Sequence, residues 1–294
     1  MENSELDLFQ AYEDAADFKD EINAVVENMK RELGSNATYP DLLPKMAQLE
    51  VALLHFMEEN KGKSKYVVFA DKCWPAFERQ FGFVPCYVNS RLTGRGIPVA
   101  CEVDLYGALS EYMVQLATME PATLLDINNS VPAEMTGKYD NSDLHMGFHC
   151  GNTCSSCMSD CKLNYQVIMN RLMEDGGTPN ITRGTLEGMI KPGETTLFRL
   201  QSSADTSLKS YIAEGEFTEI NPETFGSTGV VAIKGFSRFY RHILVGKQFP
   251  HHGAYGRVKV GKILFEAVKY LGITDIYTPL PKGQLYEGEN PFEI

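Results

Sequence analysis

Three positions in the sequence carry side chains that divalent metal ions accept as ligands. Glu102 follows the apolar run 97–101, Asp126 follows two leucines, and His252 is the second of two histidines between a proline and a glycine. Two carboxylates and one imidazole suit a divalent cation such as Mn²⁺ or Mg²⁺ and leave coordination positions open. Each position alone also fits an ordinary role: a helix-start charge at Glu102, a turn at Asp126 or a surface imidazole at His252.

Such a set of side chains would support one kind of sugar chemistry. A divalent ion with open positions holds two neighbouring sugar oxygens and polarises a carbonyl group. A carboxylate beside the ion can then move a proton between C1 and C2 as general base and general acid. The set therefore predicts an aldose–ketose isomerisation through an ene-diol held at the metal, provided that the three side chains meet in the fold.

Four cysteines close together in the sequence support a different interpretation. Cys150, Cys154 and Cys157 have the C-x3-C-x2-C spacing of radical-SAM enzymes, in which three thiolates hold an iron–sulfur cluster. Together with Cys161 they could equally form a zinc site. However, a radical-SAM barrel needs a long series of βα units, whereas the 133 residues after Cys161 read as β-structure with a single helix. A Cys-cluster protein, with zinc or an iron–sulfur cluster, therefore stays the weaker alternative.

The elements that must position these residues change in type along the chain. Up to about residue 120, helical patterns (two of them in the first sixty residues) alternate with short apolar strands, which is typical of an open, Rossmann-like α/β sheet. Beyond it, short β-type runs and one closing helix predict a mainly β, barrel-like domain, with a hairpin around the turn 191–194. We therefore predict an α/β chain with two domains, an α/β domain over 1–120 and a β-rich domain over 121–294.

Composition excludes several classes of partner. The formal net charge of −12 argues against nucleic acid, because binding to phosphates needs clustered lysines and arginines. The sequence has neither a long apolar run nor a basic start followed by an apolar block, so we expect a cytoplasmic protein without a membrane partner. Seven cysteines are an odd number, which favours free thiols or metal ligands over a disulfide framework.

Several segments together resemble the L-fucose isomerase family, which includes the L-arabinose isomerases. The segments that carry the resemblance occur in the family's order: Lys72-Cys73-Trp74-Pro75, Gly96-Ile97-Pro98-Val99-Ala100-Cys101-Glu102-Val103-Asp104, Leu125-Asp126, Phe148-His149-Cys150-Gly151-Asn152 and His251-His252-Gly253. Each segment alone is weakly specific, and the set as a whole is fairly specific.

The resemblance implies a manganese-dependent aldose–ketose isomerase. By motif, the family's metal ligands fall on Glu102, Asp126 and His252, and the same Glu and Asp form its acid/base pair. His149 matches a histidine beside the site in the L-arabinose isomerases, which implies that it binds substrate or supports a metal ligand. His251 and the single tryptophan, Trp74, are further candidates for sugar contacts, although a core position is the more ordinary role for a tryptophan.

The resemblance also implies an architecture and an assembly. Family members combine α/β N-terminal domains with a barrel-like C-terminal domain, and they form homo-oligomers, often trimers or hexamers. They are longer than this chain, which corresponds to the C-terminal part of the family's sequence. A fragment or short form that turns over sugar, and a metal-binding relative without catalytic activity, are both compatible with that length.

Overall fold

The computed structural model describes residues 3–128 and 131–292. The chain divides into two units. Unit 1 comprises Met1–Val103, Cys150–Gly188 and Phe225–Ser227, and unit 2 comprises Asp104–His149, Met189–Thr224 and Thr228–Ile294. The units interleave along the sequence, and the division into family domains at residue 120 stays a prediction.

Both helices and strands are present, which confirms a mixed α/β chain. The helices are α1 Glu5–Asp14, α2 Lys19–Leu33, α3 Leu43–Asn60, α4 Ala76–Phe81, α5 Cys86–Gly94, α6 Leu105–Thr118, α7 Val167–Met173, α8 Phe236–Phe239 and α9 Gly261–Tyr270. The strands are β1 Phe69–Ala70, β2 Val99–Ala100, β3 Thr123–Asn128, β4 Leu144–His149, β5 Met158–Tyr165, β6 Arg183–Ile190, β7 Gly193–Ser202, β8 Leu208–Phe217, β9 Ser227–Ala232, β10 His252–Gly256 and β11 Asp275–Tyr277. A π-helical segment, Tyr240–Val245, follows α8.

The first sixty residues form three α-helices where the periodicity predicted two. The predicted first helix is interrupted at Phe18, whose backbone (φ −86°, ψ 52°) is not helical and whose ring stacks on His55 of α3 at 4.1 Å between ring centroids. Glycine at position 34 predicts a helix end from the sequence, and Gly34 does end α2, with a φ of +53°. The helical pattern was therefore correct, and the first predicted helix breaks at Phe18.

The strands of the N-terminal region are shorter than their apolar runs. β1 and β2 contain two residues each and pair in parallel, Phe69 with Val99 and Ala70 with Ala100. A parallel pair with helices before and after it is the arrangement that an α/β sheet needs. The Rossmann-like character of this region stays a prediction.

Unit 2 contains the predicted barrel-like sheet. Neighbouring strands follow the order β11-β8-β7-β10-β3-β4-β9, and an additional pairing of β9 with β8 closes six of them into a ring. Closure leaves no open edge among these six strands. β11 adds to β8 in parallel outside the ring.

The predicted hairpin between β6 and β7 is wrong. β7 pairs with β8 in antiparallel fashion over its whole length, from Gly193 opposite Phe217 to Ser202 opposite Leu208, and its other neighbour is β10. Only residues 191 and 192 separate β6 from β7, because β7 begins at Gly193, and a turn signal does not specify which strand becomes the partner.

Close packing inside the barrel explains the glycine that follows the two histidines. A Cβ atom at Gly253 would lie 2.4 Å from Leu197 Cδ1 and 3.0 Å from the Tyr211 hydroxyl. Helix α6 packs against β7 and β10 of the same unit, and the Leu200 N–H donates to Ser110 Oγ of this helix at 2.9 Å. Glycine is therefore required for β10 to fit between its neighbours, which fixes the strand that carries His252.

Within the described ranges, no helix has both the length and the apolar character that a membrane crossing requires.

Candidate metal centre

Three adjacent strands of unit 2 bring Asp126, His149 and His252 together. Asp126 on β3 lies opposite His252 at the start of β10 and opposite Phe148 on β4, so that His149 is one residue from the same register position. One potential ligand atom from each of the three side chains lies within 4.8 Å of the other two. The position of His252 between a proline and a glycine predicts a loop, and that prediction is wrong. His252 begins β10, and its pairing with Asp126 on β3 sets the distance between the two residues.

The imidazole of His252 is held between two carboxylates. Its Nδ1 lies 2.8 Å from Asp104 Oδ2, and its Nε2 lies 3.1 Å from Asp126 Oδ1. Because an ionised carboxylate only accepts hydrogen bonds, Nδ1 carries the hydrogen in the contact with Asp104. This leaves Nε2 to face Asp126, as in metal centres where a carboxylate orients the ligating histidine through its other ring nitrogen.

Asp104 is itself oriented by a buried arginine on β7. Arg199, 2% exposed, donates from Nη1 to Asp104 Oδ2 at 2.5 Å and from Nη2 to Asp104 Oδ1 at 2.7 Å. The same Nη2 also donates to Gln201 Oε1 at 2.7 Å. A two-pronged contact of this kind fixes the plane of the carboxylate as well as its position. The chain Arg199–Asp104–His252 thus sets the angle at which His252 meets Asp126.

The start of α6 adds a further constraint on Asp104. Asp104 caps this helix and accepts a hydrogen bond from the Gly107 N–H at 2.8 Å. A Cβ atom at position 107 would lie 2.5 Å from Asp104 Oδ2 and 3.0 Å from Leu124 Cδ2, so glycine leaves the space that the carboxylate occupies. The helix start and the centre therefore share one carboxylate.

The charges in this cluster are strongly coupled. Burial alone would raise the pKa of Asp126, but hydrogen bonds from His251 and His252 hold it well below its ordinary value. Asp104 behaves in the same way, with its pKa depressed by His252 and Arg199 in spite of burial. Burial would lower the pKa of His252, yet its hydrogen bonds to the two aspartates raise it to about 9. Asp126 therefore stays a carboxylate at neutral pH.

His149 and His251 differ from His252 in their exposure. His149 is 4% exposed, and burial lowers its pKa to about 4, so it is a neutral imidazole at neutral pH with a nitrogen able to act as a ligand. The side chain of His251 is 56% exposed, and its Nε2 lies 3.3 Å from Asp126 Oδ1. Its backbone carbonyl accepts a hydrogen bond from the Ile127 N–H at 2.7 Å, which ties it to β3.

Glu102 and Trp74 belong to unit 1. Glu102 lies just after β2 and is exposed, and both it and Val103 have left-handed backbones, with φ of +63° and +56°. Such a conformation is costly for a β-branched residue and concentrates at functional sites. The Trp74 side chain is 48% exposed and precedes a cis peptide bond to Pro75. The metal and catalytic roles of Glu102 and the sugar contact of Trp74 stay predictions.

The four clustered cysteines do not form a metal centre with one another in the described parts of the chain. Groups of three or more histidine, cysteine or acidic side chains with converging ligand atoms include none of these cysteines in residues 3–128 and 131–292. Instead, Gln166 Nε2 donates to Cys150 Sγ at 3.0 Å, and Cys154 packs against Gly94. The isomerase hypothesis is favoured over the zinc or iron–sulfur alternative.

Sequence reasoning missed Asp104 and Arg199 as parts of the centre. The sequence around Asp104 indicates a turn into α6, and this role is correct but incomplete. For Arg199 a signal was present: a charged residue inside the apolar run of β7 must be paired if it is buried. The partner of such a residue lies 95 positions away in the sequence and only the fold identifies it.

Comparison with known proteins agrees with the predicted resemblance. Residues 147–278 match the family model described as L-fucose isomerase, C-terminal domain. The matched range contains His149, His251 and His252 and most strands of the barrel.

Curated relatives cover more of the chain. A protein named sulfoquinovose isomerase from Alkalicoccus urumqiensis is 24% identical over 263 residues, which are 89% of this chain and 55% of the relative. Proteins of the same name from Clostridium sp. (strain MSTE9) and Priestia aryabhattai are 30% identical over 164 residues and 22% identical over 203 residues. These two matches cover 55% and 68% of this chain, and 33% and 41% of the relatives. The chain thus spans about half, or less, of the length of the curated relatives it matches. The resemblance to the L-fucose isomerase family is confirmed, and residues 147–278 correspond to that family's C-terminal domain.

Proposed function

We propose that this chain carries the metal centre of an aldose–ketose sugar isomerase that acts through an ene-diol. The observation that carries the proposal is the convergence of Asp126, His149 and His252, with Asp104 on the far nitrogen of His252. The family match over residues 147–278 and the isomerase names of the relatives support the same reaction class.

The donor set fits a divalent metal ion. One carboxylate oxygen and two imidazole nitrogens lie close enough to share one ion, and Asp104 supplies the outer hydrogen bond that ligating histidines normally have. Mixed oxygen and nitrogen donors suit Mn²⁺, which we propose as the ion, and exclude neither Mg²⁺ nor Zn²⁺ by donor type. When bound, such an ion polarises a sugar carbonyl and neutralises the charge that develops as the ene-diol forms.

Within this proposal, each residue of unit 2 has a distinct role. Asp126 and His252 hold the ion, and the low pKa of Asp126 keeps it ionised for that purpose. His149, for which the resemblance gave a role in substrate binding or around the metal, is proposed as a further ligand because its imidazole is neutral and close to both. His251, exposed and next to Asp126, is proposed to contact the sugar.

Glu102 is proposed as the partner of Asp126 in ligation and proton transfer. It precedes Asp104 by two residues, and two residues of chain span at most about 7 Å. Its left-handed backbone, followed by another at Val103, is the kind of local strain that a functional position retains. As general base and acid, the pair would take the proton from one sugar carbon and return it to the neighbouring carbon.

Three further properties are part of the proposal. The parallel pair β1–β2 and the helices around it support assignment of residues 1–120 to part of a Rossmann-like domain. The names of the relatives make sulfoquinovose the first sugar to assay. The resemblance supports a homo-oligomer, a trimer or hexamer, which light scattering of the purified protein measures directly.

Metal analysis combined with an isomerase assay tests the proposal. We expect about one Mn²⁺ per chain, with metal-dependent conversion of an aldose to its ketose. Glu102→Gln is expected to weaken metal binding and to abolish conversion. Metal binding without conversion of any sugar would support the non-catalytic relative instead. Iron with acid-labile sulfide would contradict both and would restore the Cys-cluster alternative.

A further inference from the structure

Unit 1 contains a pair of cysteines on a single helical turn, outside the metal centre. Residues Ser155–Cys157 form a 3₁₀ turn with Cys154 as its N-cap, and the Cys157 N–H donates to the Cys154 carbonyl at 2.9 Å. One turn of this kind separates the first and fourth Cα atoms by about 6 Å. Disulfides span Cα separations of about 4.4–6.8 Å, so the Cα separation expected for this turn lies within the disulfide range.

The two thiols of this turn also contact each other. A hydrogen bond joins the Cys154 and Cys157 side chains, and Cys154 Sγ lies 3.2 Å from Ser156 Oγ. On its other side, the Cys154 sulfur packs against the backbone of Gly94, where a Cβ atom would lie 2.7 Å from Sγ. The Cys154 sulfur therefore lies between Gly94 and the Cys157 thiol, to which it is hydrogen-bonded.

The two cysteines differ in their access to solvent. Cys154, together with Ser155 and Ser156, lines a cavity of about 750 Å³. Cys157 is 3% exposed and is not part of that lining. The cavity lining includes three arginines (Arg31, Arg91 and Arg95) and two glutamates (Glu32 and Glu50), so its net charge is positive and favours an anionic ligand. Cys154 is therefore accessible from the cavity, whereas Cys157 is buried outside the cavity lining.

The electrostatic environment of Cys154 differs from that of Cys73, Cys86 and Cys101. The hydrogen bond from Cys157 lowers the pKa of Cys154 to about 6, against the opposing effects of burial and of Glu32. Burial raises the pKa of Cys73, Cys86 and Cys101 instead. Since the thiolate is the reactive form, we expect Cys154 to react with disulfides faster than these three thiols do.

We propose that Cys154 and Cys157 form a thiol–disulfide exchange site for small anionic disulfides of the glutathione type. The Cys154 thiolate attacks one sulfur of the disulfide, whose S–S bond breaks, and the first thiolate leaves and takes up a proton. Cys157 then loses its proton, attacks the Cys154 sulfur of the mixed disulfide and releases the second thiolate. The two protein thiols are oxidised to one disulfide, and the small disulfide is reduced to two thiols.

Oxidised glutathione is the probe that tests this site, and the full chain is the sample. Intact mass and peptide mapping should show a loss of two hydrogen atoms and a Cys154–Cys157 linkage. Cys157→Ser is expected to stop at a glutathione adduct on Cys154, whereas Cys154→Ser should leave position 157 unmodified. Cys161→Ser, four residues beyond the pair, is the matched control and should behave as the unsubstituted chain does.

A second measurement needs no substitution and so does not depend on the folding of a variant. Brief alkylation of the native chain, followed by mapping of all seven cysteines, should modify Cys154 at least about 10-fold faster than Cys86 or Cys101. Equal rates at these cysteines, or a disulfide that joins other positions, would overturn the proposal. Neither result depends on whether the chain isomerises a sugar.

Discussion

Each of the two units contains a buried cluster of charges, and the two clusters are built differently. In unit 1, Arg91 donates to Glu50 at 2.5 and 3.2 Å and also to Glu32, while Arg95 donates to Glu50 at 2.8 Å. Glu50 is fully buried and the Arg91 side chain is 8% exposed. Two carboxylates face two guanidinium groups, so the charges balance without any additional ion.

In unit 2 only half of the cluster is balanced in this way. Asp104 faces the guanidinium group of Arg199, as Glu50 faces Arg91. Asp126 faces imidazoles instead, and an imidazole can exchange its proton for a metal ion. Carboxylates paired with arginine therefore stabilise the fold. A carboxylate that faces imidazoles, whose protons a metal ion can replace, is the part of the cluster suited to bind a ligand.

Breaking the unit 1 cluster should give the largest effect on folding. Arg91→Met leaves the buried Glu50 with only the partly exposed Arg95, and loss of one partner of a buried pair costs about 3–5 kcal/mol. We expect the free energy of unfolding in urea to fall by about that amount, with the metal affinity unchanged. Lys269→Met, which removes an exposed ion pair, is the control and should change little. A loss of metal affinity in Arg91→Met would contradict the expectation that the unit 1 cluster has no part in metal binding.

Removing the charge of Asp126, which faces the imidazoles, should lower the affinity for the metal. Asp126→Asn removes a charged ligand, so Mn²⁺ affinity measured by calorimetry should fall more than about 100-fold, beyond the effect of an outer-sphere change. Stability of the metal-free protein should change less than in Arg91→Met. Asp275 on β11 is exposed, so Asp275→Asn serves as the carboxylate control. The Mn²⁺ affinity of this variant should equal that of the unsubstituted chain.

Weakening the pair of Asp104 with Arg199 should have a smaller effect on metal affinity than Asp126→Asn. Asp104→Asn keeps the shape of the side chain but weakens both the pairing with Arg199 and the orientation of His252, so we expect metal affinity to fall about 10- to 100-fold. Nitrogen NMR of the His252 ring should show that the hydrogen no longer stays on Nδ1. Unchanged affinity together with an unchanged tautomer would show that Asp104 only caps α6.

A further buried carboxylate in unit 2 makes the stability of the fold depend on pH. Glu111 on α6 is 1% exposed, and burial raises its pKa to about 8, against the effect of a hydrogen bond from the Leu124 backbone. The folded protein therefore keeps a proton that the unfolded chain loses near pH 4.5. Its contribution to stability is complete below that pH and is lost as pH rises to about 8, at roughly 1 kcal/mol per pH unit.

Glu111→Gln removes this titration and tests the sign. In metal-free protein, the free energy of unfolding of the variant should fall less steeply than that of the unsubstituted chain between pH 4.5 and about 8. Identical slopes for the two proteins would mean that Glu111 ionises normally in the fold.

The sequence predicted those parts of the molecule that depend on local chemistry. The periodicity and the stop signals located α6 and α9, and the apolar runs located β3 and β4 to within a few residues. Asp126 and His252 were singled out because each follows an apolar or rigid segment. Their proximity is a property of the register between β3 and β10, which single-sequence patterns do not contain.

What the sequence did not predict depends on long-range pairing. The partner of β7 is β8 rather than β6, and the partner of Arg199 is Asp104, because the barrel closes in an order unrelated to the nearest turn. The spatial neighbours of the clustered cysteines were likewise unpredictable: Cys154 contacts Cys157 and Gly94, and no metal-ligating group in the described ranges includes it.

Anomalous diffraction from crystals grown with Mn²⁺ tests the assignment of the metal centre most directly. We expect a single strong peak at the manganese edge. It should lie within about 2.5 Å of three atoms: Asp126 Oδ1, one ring nitrogen of His149 and one ring nitrogen of His252. A peak coordinated by cysteine sulfur, or no peak near these three side chains at saturating Mn²⁺, would contradict it.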